Sequence, residues 1–245
     1  MRYILNADDF GGNERINAAV VEGFRQRCLS RTSIMVNRPG FEDAVRLAHE
    51  HGFTNRVGLH VNLSTGIPLT NEIRTIESFC DCDGKFNSKI FHCQRMKWYL
   101  TKREKTAVKK EIAAQIKRYR SAGFALNHAD SHGHIHTFPS MISLFICAMN
   151  EGGINDIRIS MNLTKNRWYK LKKIIPNIML CRFNHEKAPC YFGSLKQVIH
   201  FEDRLAAIDG KCEIMLHPNI WDGKVKIGEC LSYVDIPVRI KERMI

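Results

Sequence analysis

Short apolar runs alternate with stretches of helical periodicity along most of this chain, and that alternation confines it to parallel strands with helices packed outside. Residues 3–5 read as a first strand that exits through Asn6-Ala7-Asp8-Asp9-Phe10. Residues 15–27 carry Ile16, Ala19, Val20, Gly23 and Phe24 at helical spacing, with Asn13 as the cap. Strands follow at 32–36 and 56–63, around a helix over 40–51 that Gly52 ends. A long basic helix covers 104–122 and closes at Gly123. Residues 124–129 read as a fourth strand, 138–151 as a helix closed by Gly152-Gly153, and 157–159 as a short strand. A helix over 195–208 and a strand over 211–216 complete the series. Two stretches break the pattern. Residues 64–100 lack a clean period and read as an insertion over one face, and 164–186 is ambiguous because Pro176 interrupts it.

No internal repeat or Pro/Ser-rich linker divides the chain, so residues 1–245 are expected to form a single α/β domain. A (β/α) barrel, complete or incomplete, suits this length better than a small open sheet. No G-x-G-x-x-G follows the first strand, so a dinucleotide site has no support. In barrels of this type the chemistry sits at the C-terminal ends of the strands.

Reactive side chains fall at those ends. Asp8 and Asp9 follow the first strand, His60 lies late in the third, and His217 follows the apolar run Ile214-Met215-Leu216. The segment from His128 to His136 runs off the fourth strand. His128, Asp130, His132, His134 and His136 share one parity, and in an extended chain they would face one side at intervals of about 6.6 Å. Four histidines and an aspartate are the ligand set of Zn²⁺, Fe²⁺ or Mn²⁺. A polar turn would account for Asp8-Asp9 alone, and hydrogen-bonded core histidines for His60 or His217 alone. It is their convergence on one rim that points to a metal site.

Composition narrows the partners. The chain carries 37 Lys/Arg against 25 Asp/Glu, a formal charge of +12. The excess gathers at 95–120, with ten cations against two Glu, and at 158–187, with eight against one. Neither stretch has the aromatic interleaving of a nucleic-acid module, so both read as solvated helix faces, and nucleic acid is not an expected partner. They could also form a homodimer interface. The longest nearly unbroken apolar run, 141–149, is far short of a membrane span, and Asp8-Asp9 leaves no signal-peptide core, so the expected compartment is the cytoplasm. Nine cysteines without a C-x-x-C pair read as reduced thiols. Cys80, Cys82, His92 and Cys93 fit zinc spacing poorly, and Asp83-Gly84 between them reads as a hairpin turn.

Four segments in register resemble the YdjC-like carbohydrate deacetylase family, which includes chitooligosaccharide deacetylases. They are Asn6 to Gly11, Gly58 to Leu63 with Gly66 and Pro68, His128 to His136, and Glu213 to Pro218, and together they cover residues 3–218. The resemblance implies a NodB-like, distorted (β/α) barrel. It also implies a divalent metal, Mg²⁺ or Zn²⁺, with Co²⁺ a further option. By that likeness Asp9, His60 and His132 match the metal triad, Asp8 the catalytic base and His217 the general acid. His134 and His136 match positions that line the pocket, and Arg158 could assist there. Two departures stand out. Asn219 replaces the usual Gly after His-Pro, and Gly12 with Glu14-Arg15 replaces a more apolar or small stretch, which puts the pocket rim in question.

The implied reaction is removal of an acetyl group from an N-acetylated amino sugar or short oligosaccharide. Amide hydrolysis needs an activated water, charge stabilisation on the carbonyl oxygen and a proton for the leaving amine. One carboxylate and two imidazoles around a divalent ion leave room for water and substrate. The alternative is a metal-dependent phosphoesterase on the same site, favoured by the positive charge. An Fe(II) oxygenase would use His128-x-Asp130, but such enzymes are all-β. A basic binding module with a degenerate site is opposed by the complete set Asp9, His60 and His132.

Overall fold

The structure is a computed structural model, and it describes residues 1–184, 189–221, 224–226 and 235–245. Seven strands form its parallel sheet: β1 Arg2–Phe10, β2 Arg31–Ile34, β3 Val57–Val61, β4 His128–Ser131, β5 Asp156–Ile157, β6 Tyr191–Ser194 and β7 Lys211–Leu216. Their order is β5-β4-β3-β2-β1-β7-β6. The chain thus steps outward from a central β1 through β5, then returns on the other side. Strands β8 Asn219–Trp221 and β9 Lys224–Lys226 form a separate antiparallel hairpin.

Helices cover the sheet: α1 Glu14–Arg25, α2 Phe41–Glu50, the short α3 Asn71–Arg74, α4 Lys89–His92 and α5 Gln94–Trp98, then α6 Lys102–Ser121, α7 Ile142–Glu151, α8 Arg167–Phe183, α9 Leu195–Ala206 and α10 Val238–Lys241. Asn13 caps α1 through the Ile16 amide as expected, and Thr101 with Glu104 forms a capping box on α6. Residues 64–100 hold the three short helices. There Cys80 bridges Phe86 around a turn closed by the Gly84 amide on the Asp81 carbonyl.

The sheet curls into a partial barrel, and period-2 alternation sorts its two faces. Leu5, Ala7, Ile34, Leu59, Val61, Ile214 and Leu216 are fully buried under the helices. Asn6, Asp8, Arg31, Ser33, His60, His128, Asp130 and Glu213 alternate with them on the concave side, equally buried. The edge strands β5 and β6 do not pair with each other. Asn162 bridges the gap: its amide bonds the Phe192 carbonyl at 3.1 Å, its Oδ1 accepts from the Phe192 amide at 3.0 Å, and its Nδ2 donates to the Cys190 carbonyl at 2.9 Å.

Several expected elements shift. The first strand runs on to Phe10 instead of ending at residue 5. The fourth begins at His128, because Phe124 stacks on Tyr119 and the Tyr119 hydroxyl ties the Val57 and Leu126 carbonyls, holding 124–127 as a connector. Strand β6, unassigned in the sequence reading, is short and carries Gly193. The ambiguous stretch is mostly α8, which tolerates the buried Pro176 at the expense of one backbone hydrogen bond. Asn219, which replaces the usual Gly, opens an extended strand. Arg15 donates to the Ile220 carbonyl at 2.6 Å and pins the hairpin on α1. Residues 185–187, the end of the second basic stretch, lie outside the described residues.

Candidate metal centre

Two adjacent carboxylates on a regular strand point to opposite faces. Between Ala7 and Phe10 the register of β1 against β2 shifts, and Asp9 adopts φ 66°. Asp is among the few residues that reach this left-handed region without a large penalty. The kink turns the Asp9 carboxylate to the rim while Asp8 stays on the interior face. From β3, His60 brings Nε2 to 3.2 Å from Asp9 Oδ1. Beyond β4, His132 brings Nδ1 to 3.0 Å from the same oxygen. One donor atom from each of Asp9, His60 and His132 lies within 4.8 Å of the others. The three residues matched to a triad by likeness therefore meet in space.

The donor set fits a cation. His60 Nδ1 is 2.6 Å from Asp130 Oδ1, which keeps a proton on that nitrogen and leaves Nε2 as the atom that would exchange its proton for a cation. His60 Nε2 is buried and has no hydrogen-bond partner despite its closeness to Asp9. Ser33 Oγ donates to Asp130 Oδ2 at 2.9 Å, fixing the carboxylate that orients the ring. Burial alone would lower the His60 pKa, but the Asp130 carboxylate reverses the shift and pushes it up to about 10. Burial likewise raises Asp9, yet the His132 and His60 rings outweigh it and hold its carboxyl well below the usual range. With no cation present, a proton thus occupies the charge a cation would supply.

Asp8 differs from its neighbour. Arg158 Nη1 meets its Oδ2 and Nη2 its Oδ1, both at 2.7 Å, and Asn6 Nδ2 adds 2.8 Å to Oδ1. Burial pushes the Asp8 pKa up, and the Arg158 guanidinium brings it below the ordinary value. The same guanidinium reaches Asp130 Oδ2 and Glu213 Oε1 at 2.7 Å each. Two further groupings, Asp8/His60/Asp130 and His128/Asp130/Glu213, have metal-like spacing. Arg158 bonds to the carboxylates of both, and Arg31 to Glu213 as well, so protein cations already occupy the place of an ion.

The extended parity expected over 128–136 ends at Ser131. Residues 132–137 form a tight helical turn in which Gly133 and His134 are left-handed. Within β4 His128 faces the interior and meets Asp156 at 2.8 Å, and of the five residues His132 joins Asp9. His136 is fully buried between Ser131 Oγ at 2.6 Å and the Arg158 carbonyl at 3.0 Å, and Arg158 is fully buried among three carboxylates. Both side chains are thus enclosed by protein groups. For His136 the cause is the left-handed turn, which folds the chain under itself, whereas Arg158 follows β5 and meets the carboxylates from there. His134 is half-buried and its Nδ1 has no hydrogen-bond partner; burial pushes its pKa down to about 4. His217 follows Leu216, whose Cα partner is Ala7, the residue before Asp8. The sequence reading did not single out Arg31, Ser33, Asp156 or Glu213. The available signal was ionisable residues at period 2 within apolar strands, as in Arg31-Thr32-Ser33 and Cys212-Glu213-Ile214.

The insertion covers the ligand turn. Phe91 of α4 packs its ring edge toward His132 at 6.3 Å, over Gly133. A side chain at Gly133 would meet Phe91 at 2.3 Å, and its φ of 60° also favours glycine.

Comparison with known proteins agrees with this geometry. The YdjC-like protein family model matches residues 2–236. A carbohydrate deacetylase of Brevibacillus brevis is 35% identical over 62% of this chain and 56% of its own length. Another, of Xenopus laevis, is 29% identical over 66% of this chain and 52% of its own. A carbohydrate deacetylase of Clostridium beijerinckii is 27% identical over 99% of this chain and 89% of its own. The first two matches thus span about half the length of those relatives. A crystal structure from Enterococcus faecalis, of a protein named for cellobiose-phosphate cleavage, superposes with a TM-score of 0.69 at 20% identity, covering 90% of this chain and 82% of that one. At that identity the likeness speaks for the fold.

Proposed function

Since this chain belongs to the YdjC-like family, we propose that it is a metal-dependent hydrolase that removes the acetyl group from an N-acetylated amino sugar or short oligosaccharide. The observation that carries the reading is the meeting of Asp9, His60 and His132 beside a separately held Asp8. The relatives named carbohydrate deacetylase support the substrate class. Asp9, His60 and His132 would hold the ion, and two imidazoles with a carboxylate accommodate Zn²⁺ or Co²⁺ as readily as Mg²⁺. When bound, a divalent ion lowers the pKa of water and polarises a carbonyl.

The residues around it have separable tasks. Asp8 is the proton acceptor. Arg158 and Asn6 occupy two positions on Oδ1 and one on Oδ2, which leaves a lone pair of Oδ2 for the water's proton. Held as the anion, it is a modest base, matched to a nucleophile of enhanced acidity. His217, which follows the register partner of Ala7, is the donor to the departing amine. His134, neutral near pH 7 and with Nδ1 unpartnered, is the substrate contact.

The test is acetate release from a panel of N-acetylated mono- and disaccharides, with and without chelator. Release that chelator abolishes and divalent metal restores is the expected result. No release from any member, with turnover of a phosphodiester instead, would replace this reading by the phosphoesterase.

A further inference from the structure

Resting on the deacetylase reading, we infer that Glu213 and Arg31 are positioning residues that set the orientation of Asp8. They act at a distance, through Arg158 and Asn6. Glu213 sits within β7 and is fully buried on the concave face. Its Oε1 takes Arg158 Nε at 2.7 Å, and its Oε2 takes Arg31 Nη2 at 2.8 Å. Both routes end on Asp8. Arg158 presents Nη1 and Nη2 to the two Asp8 oxygens. Arg31 presents Nε to Asn6 Oδ1 at 3.1 Å, and Asn6 Nδ2 donates to Asp8 Oδ1. The result is a closed ring of Glu213, Arg158, Asp8, Asn6 and Arg31.

A guanidinium is a rigid planar fork, so fixing the direction of Nε fixes that of the Nη pair. Arg158 enters from beyond β5 at the sheet edge, while Asp8 stands on the central strand. The guanidinium must cross the barrel interior to reach Asp8, and Glu213 holds its near side on the way. Asp130 competes for Nη2 at 2.7 Å. Without Glu213 as counterweight, the fork can swing toward Asp130 and release one oxygen of Asp8. Arg31 is tied in turn to Asp156 at 3.2 Å, and Asp156 to His128, so the ring is anchored to β4 and β5 as well.

Glu213→Gln keeps the shape but removes the charge. The expected result is a fall in kcat of about 10- to 100-fold, the range of partners that orient a reacting group. KM and metal affinity, measured on the metal-loaded protein, should change far less than kcat, because the ring touches Asp8 and not Asp9. A crystal structure of the variant should show the two-pronged Arg158–Asp8 pair opened. Because a lone Gln faces Arg31 with an amide, the single variant could lose stability. The pair Arg31→Gln with Glu213→Gln replaces the ion pair by two matched amides. That double variant should regain Tm while kcat remains depressed.

An unchanged kcat in Glu213→Gln would overturn the inference. So would a double variant in which kcat recovers together with Tm, since the ring would then serve folding alone. Should the wild type release no acetate, the deacetylase reading fails by itself. The variant's crystal structure still decides the positioning: Arg158 seated on both Asp8 oxygens as before would overturn it.

Discussion

Asp8 and Asp9 are chain neighbours with opposite surroundings, and the difference predicts opposite phenotypes. Asp9 faces two imidazoles, whereas Asp8 faces a guanidinium. Asp9→Asn, which keeps the tolerance for positive φ, should lose metal and activity together in a calorimetric titration and an acetate assay. Asp8→Asn should bind metal normally and lose about 10²–10⁴ in kcat, the usual worth of a placed proton acceptor. Metal uptake is also a competition with protons. The metal-free His60 has its pKa pushed up to about 10 by Asp130 against the effect of burial. Binding should therefore weaken as pH falls and release close to one proton per ion near neutrality, measurable by titration in buffers of different ionisation enthalpy. The same shift bears on stability. Protonation of His60 stabilises the metal-free fold fully below its unfolded pKa of about 6.5, and this contribution is lost as pH rises through about 10. The Tm of the metal-free protein should decline across that window more than that of the loaded protein.

Among the elements, the ligand turn after β4 shows how far periodicity carries. Alternation over 128–136 marks a concentration of His and Asp side chains, but it implies one straight ladder. Gly133 and His134 break the ladder at its middle and leave His132 alone facing Asp9. The break is held by Phe91, a residue 42 positions earlier whose contact with this turn no local pattern announces. Gly133→Ala should cost about 1–3 kcal/mol through overpacking and positive φ. In a cycle with Phe91→Ala the two changes should couple favourably, because the truncated ring removes the clash. Thermal unfolding of the four proteins measures this. Helices were more legible than strands. Caps such as Asn13 and Thr101 act within one turn, so their signal is local. By contrast, the four residues of β6 form a strand only because β7 lies beside them.

At the scale of the whole molecule, among the described residues Asn162 bonds to backbone on the far side of the gap between the edge strands. Asn162→Ala removes two side-chain bonds, one to the Cys190 carbonyl just before β6 and one to the Phe192 amide within it. At roughly 1 kcal/mol each, this should destabilise by about 2 kcal/mol and speed amide exchange at Phe192. The interior that this seam encloses is ionic. Asp8, Asp130, Glu213, Arg31, Arg158 and His60 replace the apolar layers that ordinarily fill a small barrel. Breaking one partner of such a set strands a buried charge, so the interior tolerates exchange only in matched pairs.

From the order of residues alone came the parallel α/β class, the position of reactive groups at strand ends, and a triad matched by likeness. Each depends on periodicity or on short segments, which are properties of neighbouring residues. The tertiary structure decided which histidine of the cluster joins Asp9, why His136 and Arg158 turn inward, and that Glu213 and Arg31 stand behind Asp8. Those outcomes depend on contacts between strands far apart in sequence, where a carboxylate's character is set by whether an imidazole or a guanidinium arrives beside it.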